Sequence, residues 1–189
     1  MKRIISSLFL FIFAAGTASF AMPVINENWT SYQVNGTTTQ QLRDEMIRLG
    51  PEDNGKHYFA NTVWQVKWHY NYQESDKQCQ ITSVQTNTTI TYDLPAWPGY
   101  ASANTELQQE WAVFQQHLRQ HEQGHALLGK QAAIDIEIML QHLSLASDCQ
   151  TLETVANDKA AQIIRWYHDK DIAYDNETNH GISQGATLR

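Results

Sequence analysis

From Leu107 onward the apolar residues recur at steps of four and three: Leu107, Trp111, Phe114, Leu118, then Leu128, Ala132, Ile136 and Met139. That spacing keeps one face of an α-helix apolar for about nine turns. A stripe this long has to be covered, so the chain must build its core around one long helix with another layer laid along it. Asn104 or Thr105 caps the helix, with Gln108 at the capping-box position.

Two slots of the stripe hold histidine instead of leucine. His121 and His125 frame the run His-Glu-Gln-Gly-His, which is the pattern H-E-x-x-H. Residues four apart lie on one helix face with Cβ atoms about 5–6 Å apart. Two imidazoles placed so can converge on a Zn²⁺ ion at about 2.0–2.1 Å. Glu122, one step after the first histidine, can then reach a zinc-bound water as general base. An unpartnered buried imidazole is costly, and a metal would satisfy both rings. His117 forms a second pair with His121, but Leu118 follows it where a base would be needed. His117 also lies about 12 Å from His125 along the axis, too far to share one ion. It reads as a structural or rim residue.

A catalytic zinc takes a third protein ligand. The extended motif with Gly and His three and six residues after the second histidine is absent, because Leu128 and Gln131 stand there. Glu137 is too far along the helix. A second helix starts at Ser147-Asp148 and reads to about Ile172, with Tyr174 to Arg189 as loop. Running back antiparallel, it carries Glu153 to about 25 Å from the metal, and regains the metal's level only near residues 168–180. His168, Asp175 and His180 are the candidates.

The first half is β-rich. Trp29 to Val34 reads as a strand ended by Asn35-Gly36. Thr38 or Thr39 caps a short helix with Leu42, Met46 and Leu49 on one face, stopped by Gly50-Pro51. Trp64, Val66, Trp68, Tyr70 and Tyr72 then alternate with polar residues, a period of two. The next strand, Cys79 to Leu94, changes apolar phase near Ser83, which predicts a bulge in an antiparallel hairpin. The expected class is α+β: an N-terminal antiparallel sheet with a short helix, then a long antiparallel helix pair carrying the zinc motif.

Lys2 and Arg3 precede an apolar run from Ile4 to Ala15, and Ser19-Phe20-Ala21 fits a signal-peptidase site. Residues 1–21 therefore read as a cleavable signal peptide and 22–189 as one exported domain, periplasmic or secreted, with no membrane insertion after cleavage. The formal net charge of −7 becomes more negative once Lys2 and Arg3 are lost. It excludes a nucleic-acid surface, which needs clustered positive charge. Cys79 and Cys149 are the two cysteines, and in an exported chain they are expected to form a disulfide.

Tyr174-Asp175-Asn176-Glu177-Thr178-Asn179-His180-Gly181, followed by Gln184-Gly185, resembles the Y-D-x-x-T-x-H-G motif of a bacterial family of predicted secreted Zn-dependent proteases. That family, long catalogued as a domain of unknown function, is grouped with the zincins. The resemblance extends to Asn35-Gly36-Thr37, the Ala60-to-Tyr70 strand, Cys79, Leu94-Pro95-x-Trp97, the H-E-x-x-H helix and Cys149. It implies a zincin-like fold with zinc held by His121, His125 and His180. Asp175 ranks second, as ligand or as a partner orienting a histidine, and His168 third. Glu122 would be the general base, and Tyr174 would donate to the developing oxyanion or simply pack on the helix pair. The implied reaction is hydrolysis of a peptide or protein substrate laid along a sheet edge. Two alternatives stand beside it. One is a non-catalytic zinc-binding envelope protein. The other is a ligand-binding module using the aromatic strand face, with the motif accidental.

Overall fold

A computed structural model describes residues 22–53 and 55–189, so the expected signal peptide over 1–21 lies outside the described residues. The chain is α+β. Strand β1 (Val24–Gln33) leads through helix α1 (Thr39–Leu49) and a two-stranded ribbon, β2 (Glu52–Asp53) and β3 (Lys56–His57), into the long hairpin of β4 (Asn61–Ser75) and β5 (Gln78–Ala96). A 3₁₀ turn (Pro98–Ser102) precedes α2 (Thr105–Gln141), which is followed by α3 (Cys149–Thr178) and a final 3₁₀ turn (Ile182–Gln184).

The caps follow the local chemistry. Thr38 accepts the Gln41 N–H, Asn104 the Leu107 N–H and Asp148 the Thr151 N–H, each satisfying a first-turn amide. In the hairpin, Asn71 pairs with Ser83 but Tyr72 pairs with Ile81, leaving Thr82 as the extra residue of the expected bulge.

The sheet is not purely antiparallel. Its order is β1-β5-β4, and β1 runs parallel to β5, from Val24 opposite Asn87 to Gln33 opposite Ala96. The cause is the connection: α1 and β4 intervene between β1 and β5, which allows the crossover that parallel pairing requires. β1 also starts earlier than its sequence pattern suggests. Residues 24–28 show no alternation and stay exposed, so they are strand because β5 offers them a ladder.

Helix α2 covers one face of the sheet. Trp64 and Val66 of β4 and Val84, Ile90, Tyr92 and Leu94 of β5 meet Trp111, Phe114, Leu118, Ala126 and Ile136 of α2 in the core. Trp64 presses directly on the helix backbone: a Cβ on Gly129 would lie 2.6 Å from its Cγ. On another side Trp64 stacks against His168 of α3, ring centroids 4.3 Å apart. The aromatic strand face is thus used at Trp64 to build the core, and β4 leaves it exposed only at Tyr72.

Cys79 and Cys149 form the expected disulfide across 70 residues, with Cα atoms 5.1 Å apart. Beside it the chain makes a bridge between Cys79 and Ala146, with reciprocal N–H to carbonyl bonds of 2.9 and 3.0 Å. Among the described residues no helix is long and apolar enough to cross a membrane. Replacing both cysteines by serine should lower the unfolding free energy by about 4 kcal/mol, the loop-closure value for this separation. Urea denaturation of the oxidised protein and the double variant measures it, and coincident midpoints would contradict it.

Candidate metal centre

Helix α2 buries His121, Glu122 and His125 together. Opposite them, α3 does not stop at Ile172. No Gly or Pro interrupts the following residues, and the helix continues to Thr178. Termination comes from three successive left-handed residues: Asn179 (φ 49°), His180 (φ 50°) and Gly181 (φ 80°). Thr178 locks this end, its hydroxyl donating to the Tyr174 carbonyl at 2.7 Å and accepting the Gly181 N–H at 3.3 Å. Gly181 has a second reason to lack a side chain, since a Cβ there would lie 2.9 Å from Cγ of His121.

The extra turn of α3 puts Asp171 and Asp175 on one face, four residues apart, against the His121/His125 pair. Three donor atoms converge. His121 Nε2 lies 3.2 Å from His125 Nε2, and Asp175 Oδ1 lies 3.2 Å from the first and 3.1 Å from the second. Ligands that each sit about 2.0–2.1 Å from a tetrahedral zinc are roughly 3.3 Å apart, so the triangle has the size of one zinc face. The outer ring nitrogens are occupied. His125 Nδ1 lies 2.8 Å from Asp171 Oδ1 and His121 Nδ1 lies 3.0 Å from Gln184 Oε1. With Nδ1–H donating outward, a neutral ring turns an Nε2 lone pair inward. Two such lone pairs and a carboxylate oxygen repel one another unless a cation lies between them. The residues present therefore fit a divalent metal.

The electrostatics of the metal-free site point the same way. Burial works against the His125 imidazolium, but hydrogen bonds to Asp171 and Asp175 and the charges of Asp171 and Glu122 outweigh it and lift its pKa to about 10. Burial pushes Asp175 up, yet its bonds to His121 and His125 and the charges of His125 and His180 hold it well below the usual carboxylate range. Glu122 moves the other way. Burial raises it, more than the Thr62 hydrogen bond and the two histidines lower it. Its Oε2 accepts the Thr62 hydroxyl at 2.6 Å, and that hydroxyl also lies 3.2 Å from the Glu122 carbonyl.

The cluster forms the floor of a cavity of about 860 Å³. Its walls come from residues 51–53 and 56–62, from α2 and α3, and from the segment after α3, including His180 and Ile182. Among the described residues β4 pairs with β5 alone, so its other edge carries no strand where Asn61 and Thr62 line this cavity.

Of the three candidates His180, Asp175 and His168, with His180 put first by the motif resemblance, it is Asp175 whose carboxylate the structure brings against both His121 and His125. His180 lies beyond the helix end with its ring against Tyr58, and its Nδ1 reaches Asp175 Oδ1 at 3.4 Å with 44% of the side chain exposed. The reason is the longer α3, which carries Asp175 inward on a helical turn. His168 is occupied with Trp64. Tyr174 stacks on His121, ring centroids 5.1 Å apart, and sits on Gly124, where a Cβ would fall 2.2 Å from its hydroxyl oxygen. It packs between the helices and is not among the residues lining the cavity. Asp171, Thr62 and Gln184 are site residues the sequence reading did not assign. The four-residue step from Asp171 to Asp175 was a usable signal, as was a threonine in the inward phase of β4. Gln184 had only its place after the Y-D-x-x-T-x-H-G motif.

Fold and site together define an α+β protein with a His-His-Asp cluster held between two long antiparallel helices. The chain belongs to a bacterial family described as bacterial protein of unknown function (DUF922), whose profile matches residues 29–181. Comparison with curated proteins and with solved structures finds no match.

Glu122 and His125 both hold protons more tightly folded than unfolded, so each makes the metal-free protein less stable as pH rises. The His125 share is fully present below its ordinary value of 6.5 and is lost as pH climbs through about 10. Asp175 contributes in the opposite sense, above its ordinary 3.8, and its share is lost in acid. Thermal unfolding of chelated protein should therefore show a midpoint that declines from pH 6.5 to pH 10, with Asp171→Asn flattening the decline. A midpoint that climbs over that range would rule out the ion-paired arrangement.

Proposed function

We propose that this protein is a zinc-dependent peptide hydrolase acting outside the cytoplasm, with His121, His125 and Asp175 as ligands and Glu122 as proton carrier. The observation that carries the reading is the triangle of Nε2, Nε2 and Oδ1 atoms, 3.1–3.2 Å on each side, with a buried carboxylate next in sequence to the first histidine. When bound there, zinc would supply Lewis acidity and bring the pKa of a coordinated water toward about 7.

The chain's own residues would do the rest. Asp171 and Gln184 hold the two imidazoles in orientation through their outer nitrogens. Thr62 aims the Glu122 carboxylate by donating to Oε2. Burial gives that carboxylate a raised proton affinity, which suits a group that takes a proton from water and returns it to a leaving amine. The open edge of β4 beside the cluster supports an extended peptide as substrate, because a strand edge binds backbone amides and carbonyls without regard to side chains. Tyr174, facing Gln184 and Gly124, acts in this reading on the protein rather than on the substrate.

Export is part of the proposal. The Cys79–Cys149 disulfide suits an oxidising compartment, as does the leader expected over residues 1–21, and the protein is read as periplasmic or secreted. The zincin relationship stays with the motif resemblance, and the helix-borne His-Glu-x-x-His and the sheet edge beside it accord with it.

Metal analysis paired with a peptide-hydrolysis assay tests the reading. The wild type should hold about one zinc per chain, and His125→Ala and Asp175→Ala should lose it, while His180→Ala keeps it. Glu122→Gln should retain zinc and reduce hydrolysis by at least about 10²-fold. Zinc content unaffected by His125→Ala and Asp175→Ala would sink the metal site. A wild type that binds zinc yet cleaves nothing in a broad peptide panel would leave a zinc-binding protein without turnover.

A further inference from the structure

A metal-binding histidine must present one nitrogen as a lone pair, and something has to choose which. Around His121 the choice is made by a closed ring of hydrogen bonds. The Tyr174 hydroxyl lies 3.3 Å from the His121 backbone carbonyl. The Gln184 Nε2 lies 3.0 Å from that hydroxyl, and its Oε1 lies 3.0 Å from His121 Nδ1. Oε1 is also 3.3 Å from the Tyr174 oxygen.

Three of the four groups can face either way. A glutamine amide can flip, a hydroxyl can donate or accept, and an imidazole has two tautomers. A backbone carbonyl can only accept. With Tyr174 donating to the His121 carbonyl, the hydroxyl oxygen is left to accept from Gln184 Nε2–H at 3.0 Å, the shorter of its two contacts with the amide. The amide oxygen is then turned to His121, which must carry its proton on Nδ1. Once a metal is bound, that leaves the Nε2 lone pair as the one turned toward His125 and Asp175.

We propose that Tyr174 and Gln184 are positioning residues that set the tautomer of His121 from the backbone of its own helix. The segment after α3 is built to hold this ring closed. Gly181 and Gly185, both at positive φ, pack against His121 and His117, where a Cβ would lie 2.9 and 3.1 Å from the respective Cγ atoms. The spacing of four in the segment matches the spacing of four on the helix. Ala186 and Leu188 are buried beyond it, and the Arg43 guanidinium donates to the Leu188 carbonyl at 3.3 Å. The catalytic motif helix and the chain's last described turn thus form one device.

The inference that this tautomer serves metal binding rests on the proposed zinc site; the tautomer itself does not. Two readouts separate them. In metal-free protein, ¹⁵N NMR of the imidazole should show a proton on His121 Nδ1 in the wild type, held by Gln184 Oε1 against the pull of Asp175 Oδ1 on Nε2, and the loss of that Nδ1 proton to Nε2 in Tyr174→Phe and Gln184→Leu. Tyr174→Phe keeps the ring stacked on His121 and removes only the hydroxyl, so it guards against a variant that fails to fold. In competition titrations with a chelator, zinc affinity should fall about 10–100-fold in Gln184→Leu and less in Gln184→Glu, which retains an acceptor. An unchanged His121 pattern in both Tyr174→Phe and Gln184→Leu overturns the relay, whatever the titrations give. If the wild type binds zinc no better than His125→Ala, the metal reading fails, and the same spectra still decide the relay.

Discussion

Two residue pairs, each one helical turn long, meet across the α2–α3 contact, and the rest of the molecule is arranged to keep them opposed. His121 and His125 face Asp171 and Asp175 at hydrogen-bond distance. Neither pair is tolerable alone. Imidazoles buried in an apolar stripe need partners, and carboxylates brought near one another need positive charge. In the absence of metal a proton held by His125 supplies that charge, which is why its affinity for the proton is so high. A divalent ion would supply it more completely, and folding and metal affinity then share one set of contacts.

The sheet fixes α2 in register beneath this contact. Two glutamates of the helix, Glu122 and Glu137, are buried, and each is met by a threonine hydroxyl of the sheet. Thr62 of β4 donates to Glu122 at 2.6 Å and Thr86 of β5 to Glu137 at 2.5 Å. Glu137 also takes the Thr86 backbone N–H, at 3.0 Å, one residue before β1 begins its ladder at Asn87. Between these two polar keys Trp64 sits against Gly129 and leaves no room for the helix to slide. The same sheet that positions Glu122 thereby offers the free edge of β4 to the cavity.

The long helix, its cap at Asn104, the bulge opposite Asn71 and the disulfide were all legible in the sequence, because each follows from local spacing or residue chemistry. So were His121, Glu122 and His125 as a group. What escaped was decided by partners distant in sequence. Residues 24–28 carry no strand pattern and acquire one only from β5. The parallel sense of β1 depends on a crossover that no periodicity records. The end of α3 is likewise hidden: Gly181 looks like the stop signal for a loop that starts earlier, whereas Asn179 performs the reversal and keeps Tyr174, Asp175 and Thr178 helical. With the boundary six residues later, Asp175 sits on a helical turn facing the two histidines and His180 lies past the helix end.

Helix α3 is fastened at two widely separated points. At its first residue, Cys149 is bonded to Cys79 of β5; about 33 Å farther along the axis, Asp171 and Asp175 engage the histidines. Mechanically it is a beam clamped at both ends rather than a cantilever. A covalent clamp at the far end prevents the beam from pivoting, so the near end need resist only small bending motions to keep its carboxylates in place. In a reducing compartment the far clamp opens, and only the packing of Leu152, Ala156, Ala160 and Tyr167 shares the load with the histidine–carboxylate contacts. The stiffness of the His-His-Asp cluster is thus tied to the redox state of the surroundings through a bond that never touches it.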